Sequence, residues 1–198
     1  LFYLGGIVLL TLLSFFIFRN FRNQQKSNRI IQLEKQKSDD LLLNILPAEV
    51  ANELKESGSA MARQFNEVTV LFTDFVDFTL ISEKLSPHEL VSELHLNFKA
   101  FDEIIERYCL EKIKTIGDAY MAVSGLPLPN PDHARMAAHA ALEIQAFVRH
   151  RKKGMSHPFE IRIGLHSGPV VAGIVGVKKF DYDIWGDTVN TAARMESS

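Results

Sequence analysis

The stretch Lys112-Ile113-Lys114-Thr115-Ile116-Gly117-Asp118-Ala119-Tyr120-Met121-Ala122-Val123-Ser124 reads as two strands joined by a tight turn at Gly117-Asp118. Apolar and β-branched residues fill both arms, and the Gly-Asp pair supplies the backbone freedom a hairpin turn requires. Helical segments flank this hairpin. Before it, Ser86-Pro87-His88-Glu89 places Ser at a helix cap, Pro at the first helical position and Glu three residues after the cap. That helix runs to about residue 108, with Leu90, Leu94, Phe98, Phe101 and Ile105 on one face. After the hairpin, Asp132 caps an Ala-rich helix ending near the basic run 149–153. Residues 68–75, 160–165, 170–175 and 182–185 read as strands, and Asp187 caps a last helix over 188–195. The order, roughly βααββαβ, predicts an α+β fold with helices on one face of a sheet.

The composition is that of a globular protein, 46% hydrophobic and 23% charged. A net charge of −2 provides no basic field for nucleic acid. The single cysteine, Cys109, excludes an intramolecular disulfide and a cysteine-rich zinc cluster. Its apolar, helical surroundings suit inert packing. Residues 1–18 carry no charge. At about 1.5 Å per residue they cover roughly 27 Å, close to a bilayer's hydrocarbon thickness. Arg19, Arg22, Lys26 and Arg29 come next with no acid among them, a flank that places the chain beyond residue 18 in the cytoplasm. A signal peptide has its basic residues before the apolar run instead. The expectation is therefore a transmembrane helix at residues 1–18 in the cell (inner) membrane and a cytoplasmic helical linker at 19–64.

Within the linker, residues 30–46 predict a helix that Pro47 interrupts, and residues 48–55 a second short one. Residues 34–40 are polar throughout, which spoils a heptad pattern. This segment suits either a solvated connector or a dimerising transmission helix. The chain starts at Leu1 and stops at Ser198 inside an expected helix, so more sequence is expected at both ends.

Three groups of residues contradict their surroundings. Asp74 ends the apolar strand 68–75, and Asp118 sits in the hairpin turn. If those strands are neighbours, both acids meet at one end of the sheet, where paired carboxylates hold divalent cations beside phosphates. A helix cap for Asp74 and a plain turn for Asp118 are the alternatives, and spacing does not rank Asp77 against Asp74. Lys114 and Asp183 each project from an apolar strand. Together they offer a donor and an acceptor for a purine edge, or a structural ion pair. Asn190 and Arg194 are four apart and share a helix face, with Arg suited to phosphate and a solvated face as the alternative. Gly164, Gly168, Gly173 and Gly176 fit neither a P-loop nor a GxGxxG pattern, and His166 suits a turn better than a catalytic base.

Taken together, Phe72-Thr73-Asp74-Phe75-Val76-Asp77-Phe78-Thr79, Lys112 through Tyr120, Gly164-Leu165-His166-Ser167-Gly168-Pro169-Val170-Val171-Ala172-Gly173 and Tyr182 through Asn190 resemble the class III nucleotidyl cyclase catalytic domain, adenylate cyclase type. The resemblance covers residues 65–198. The segment around Asn44-Ile45-Leu46-Pro47 is similar to the linker preceding many such domains, which favours the transmission helix. The resemblance implies a ferredoxin-like sheet with added helices, and a head-to-tail homodimer acting on ATP in signal transduction. It implies that Asp74 and Asp118, with the Phe75 carbonyl, bind two divalent cations, Mg²⁺ or Mn²⁺. It assigns Lys114 and Asp183 to purine selection, and Asn190 and Arg194 to ribose orientation and transition-state stabilisation. Guanylate cyclases usually carry Glu and a Cys-like residue where Lys114 and Asp183 stand. Pro169 departs from members with a phosphate-binding Arg there. The family's triphosphate-binding Lys and last strands are expected beyond Ser198, so residues 1–198 alone are expected to be inactive or weak.

Overall fold

The computed structural model describes residues 2–152, 158–176 and 180–198, with side chains from residue 14 onward. The chain divides into two compact units, Leu1–Ala51 and Asn52–Ser198. The first is dominated by α1 (Phe2–Leu43), one unbroken helix. Residues 19–29 contain neither Gly nor Pro, so the apolar and polar segments join without a break. Pro47 ends the run as expected, and α2 (Ala48–Ser57) begins immediately after it. Most of the expected spanning segment at residues 1–18 lies outside the described side chains. Among the described residues, no helix is long and apolar enough to cross a membrane.

The second unit contains β1 (Arg63–Phe75), α3 (Phe78–Ser82), α4 (Pro87–Arg107), β2 (Leu110–Ile116), β3 (Ala119–Ser124), α5 (His133–Arg151), β4 (Ile161–Val175), β5 (Asp181–Trp185) and α6 (Asp187–Ser197). The strands form one sheet in the order β2-β3-β1-β4-β5, antiparallel throughout. β1 to β4, with α4 and α5 as crossovers, make the ferredoxin-like arrangement, and β5 extends one edge.

Local chemistry explains the helix starts. Ser86 caps α4 with a capping box: its Oγ accepts from the Glu89 N–H at 3.3 Å, and Glu89 Oε2 accepts from the Ser86 N–H at 2.8 Å. Asp132 occupies the cap of α5, but its carboxylate accepts from Arg135 rather than from the backbone. At α6 the cap is Gly186, and Asp187 is the first helical residue rather than the cap expected. The α4 face ending in Phe101 and Ile105 packs with Ala137, Ala140 and Ile144 of α5 against Leu71 and Tyr120 of the sheet. The small alanines let α5 lie close. Cys109 is exposed, at φ 55° between α4 and β2, not packed in a helix as expected.

Two strands are longer than the pattern suggests. β1 starts at Arg63, and β4 runs unbroken past Pro169. The two features have one cause. Phe65 pairs with Val170 and Val68 with Gly168, so Asn66 and Glu67 oppose the single residue Pro169. Proline cannot donate to a ladder, and a bulge there removes the need. His166 therefore lies within a strand, opposite Val70, not in a turn.

The helices do not all share one face, as the sequence pattern suggested. Ile161, Ile163 and Leu165 point to the cluster beneath α4 and α5. Gly164, between them, faces the other way, where a Cβ would meet the Glu196 nitrogen at 2.3 Å and the Ala192 carbonyl at 2.4 Å. So α6 lies on the opposite face.

Candidate active site

Asp74 is the next-to-last residue of β1. Thr73 pairs with Tyr120, and the antiparallel β3 begins at Ala119, so the register carries the Gly117-Asp118 turn to the same sheet end. Gly117 makes that turn with a φ of 65°, a left-handed conformation costly for residues with a Cβ. The half-buried Asp118 carboxyl is pushed above the usual carboxylate range, by burial first and then by the facing charge of Asp74. Its own N–H and that of Phe75 donate to it and pull the other way. The Phe75 ring is in the core, 4.9 Å centroid to centroid from Phe159, so only its backbone reaches the acids. Asp77 does not join the pair: among the described residues no group of three acids, histidines or cysteines is placed to hold a metal. It sits at φ 52°, ahead of α3.

Two facing carboxylates with no third acid form a hard-oxygen donor set with mutual repulsion. A divalent cation would relieve that repulsion. The residues therefore fit a hard divalent cation.

Lys114 and Asp183 are brought together. Lys114 Nζ donates to Asp183 Oδ2 at 2.5 Å, and Asp183 Oδ1 accepts from the Ile184 N–H at 2.9 Å. Their strands are opposite edges of the sheet, so the sheet curls to bring them into contact. Ile113, an extra residue on β2 between the pairs Lys112–Ala122 and Lys114–Met121, is a second bulge, and bulges increase twist locally and re-aim side chains. Asp183 is 9% exposed, so Lys114 offsets a charge that burial makes costly.

Asn190 and Arg194 stand exposed on α6. Arg194 folds back along its own helix, donating to Thr191 Oγ1 at 2.8 Å and approaching Asp187 Oδ1 at 3.8 Å. Glycines set the position of this helix. Gly164 admits its backbone, Gly168 leaves room for Thr188, and Thr188 Oγ1 donates to the Pro169 carbonyl at 2.7 Å. Gly164 and Gly168 thus pack a helix, whereas Gly173 faces Ala62.

Sequence reasoning missed Arg162 and Glu196. Arg162, paired across β4 and β1 with Asp74, donates from Nη2 to Asp74 Oδ2 and from Nε to Glu196 Oε1, each at 2.8 Å. Its only signal in the sequence is the alternation Ile161-Arg162-Ile163, which marks any solvent-facing strand position.

A ferredoxin-like sheet thus carries a facing carboxylate pair, a Lys–Asp pair and an exposed Asn/Arg helix face, in separate places. The chain belongs to the adenylate and guanylate cyclase catalytic domain family, which matches residues 60–198. An adenylate cyclase from Mycobacterium tuberculosis is 43% identical over 178 residues, 89% of this chain and 40% of that protein. The guanylate cyclase soluble subunit beta-2 of Rattus norvegicus is 42% identical over 168 residues, 84% of this chain and 25% of that one. The catalytic core of a rhodopsin-guanylyl cyclase with converted specificity, in complex with ATPalphaS, superposes with a TM-score of 0.66 at 43% identity, over 69% of this chain and 74% of that one. The chain thus spans well under half the length of these curated relatives.

Proposed function

We propose that the chain forms ATP-cyclising active sites as a homodimer, releasing 3′,5′-cyclic AMP and pyrophosphate. The Lys114–Asp183 pair carries this reading. Adenine presents an acceptor at N1 and donors at its 6-amino group, whereas guanine reverses both. A cationic donor beside a buried acceptor matches adenine. Guanylate cyclase relatives of similar identity make GTP the competing substrate.

The ribose 3′-oxygen attacks the α-phosphorus, the new O–P bond closes the ring, and the bond to pyrophosphate breaks. Asp74 and Asp118, with the Phe75 carbonyl, would hold two divalent cations, Mg²⁺ or Mn²⁺, which when bound would acidify the 3′-hydroxyl, whose proton passes to solvent, and neutralise the phosphates. Asn190 orients the ribose. Arg194 meets charge growing on the phosphoryl oxygens, and losing such a donor costs on the order of 3 kcal/mol of barrier. The family resemblance supplies the assembly: the acids of one subunit work with Lys114, Asp183, Asn190 and Arg194 of the other. The uncharged run 1–18 and its basic flank support a membrane anchor with the catalytic unit in the cytoplasm.

Supplying the intact protein with Mn²⁺ and either ATP or GTP tests this reading. Cyclic AMP is expected in excess, abolished by Asp118→Ala. Cyclic GMP in excess would make the chain a guanylate cyclase, and neither product would leave it a binding module.

A further inference from the structure

Arg162 faces two acids from two elements. Nη2 donates to Asp74 on β1, and Nε donates to Glu196 on α6. One head group thus grips an acid of the proposed metal pair and an acid of the helix carrying Asn190 and Arg194. The planar guanidinium presents separate donors to two carboxylates at once, a task that a lysine ammonium performs poorly.

We propose that Arg162 is a positioning residue acting as an internal cation, which occupies Asp74 until a divalent metal takes the carboxylate, while Glu196 retains it. The inference rests on the metal role proposed for Asp74 and Asp118. Those two acids repel each other when no cation is bound, and Arg162 offsets the charge of Asp74 from the β4 side. A metal drawing on Oδ2 of Asp74 would compete with Nη2 for that oxygen's electron density. The arginine need not then enter solvent unpaired, because Glu196 holds its Nε. The Glu196 side chain is 11% exposed against 24% for Asp74, so the anchor on α6 is the more sheltered of the two.

Metal affinity then depends on a balance with opposite signs at its two ends. Removing the arginine leaves Asp74 wholly to the metal and tightens binding. Removing the charge of Glu196 leaves Arg162 wholly to Asp74 and weakens binding. A bracket serving only to hold the fold would move both variants in one direction.

The test titrates the intact protein with Mn²⁺ alone, without nucleotide, following free Mn²⁺ by electron paramagnetic resonance. Arg162→Met is expected to lower the Mn²⁺ Kd roughly three- to tenfold, the scale of a partly exposed charged hydrogen bond. Glu196→Gln is expected to raise it by a smaller factor. Should Arg162→Met fail to fold, Glu196→Gln carries the test alone. An unchanged or higher Kd in Arg162→Met, or an unchanged or lower one in Glu196→Gln, overturns the inference and leaves the metal site standing. Wild-type protein with no Mn²⁺ uptake sensitive to Asp74→Asn overturns the metal reading itself, and this inference with it.

Discussion

Lys114 Nζ and Asp183 Oδ2 lie 2.5 Å apart although β2 and β5 are opposite edges of the sheet. The contact exists because the sheet curls, and the bulge at Ile113 re-aims the side chain of Lys114. It unites the two side chains that the proposed function assigns to the purine.

Reversing that pair should reverse the base. In Lys114→Glu with Asp183→Cys, the donor becomes an acceptor and the acceptor a weak donor. Losing two hydrogen bonds of about 1.5 kcal/mol each predicts a roughly hundredfold fall in kcat/KM for ATP, with a rise for GTP. Parallel kinetics with both nucleotides measure this. Equal losses on both would place the pair in structure rather than recognition.

Asp118→Asn should stabilise the metal-free protein at neutral pH while abolishing turnover. The Asp118 carboxyl is raised in the folded state, by burial first and then by Asp74, so its ionised form opposes folding. That penalty is complete above the raised folded value. It fades as the pH falls through that value toward the unfolded carboxyl's ordinary 3.8. The variant's Tm should therefore exceed wild type at pH 7 and converge on it in acid. Added Mn²⁺ should raise the wild-type Tm but not that of the variant. A lower variant Tm at pH 7 would contradict this account.

Gly164→Ala should displace α6. The new methyl would stand 2.3 Å from the Glu196 nitrogen, so the helix backbone must move. Overpacking of this kind costs about 1–3 kcal/mol. Because Asn190 and Arg194 ride on α6, activity should fall further than this loss of stability accounts for. Melting curves beside turnover at saturating ATP separate the two effects.

What could be read from the residues divides along physical lines. The Ser86–Glu89 box, the Gly117-Asp118 turn and the amphipathic face of α4 are local, and each was legible. The meeting of Asp74 with Asp118 needed only the expectation that their strands are neighbours. Features made by distant pairing were hidden. The pattern divides 160–165 from 170–175, whereas β4 runs through Pro169, because tolerance of that proline depends on a bulge supplied by β1. Gly164 stands out only as part of a glycine-rich stretch, because the α6 backbone that needs it comes from a distant segment. Arg162 gave no sign of its two acids, which lie on other elements.

The central claim is that one active site is built from two copies of the chain. Mixing the intact Asp74→Ala and Arg194→Ala proteins, each inactive alone, tests it most directly. Random pairing puts half of the dimers in the mixed form, each with one whole site of two, so activity should return to about a quarter of wild type. A mixture as inactive as its components would contradict the shared site.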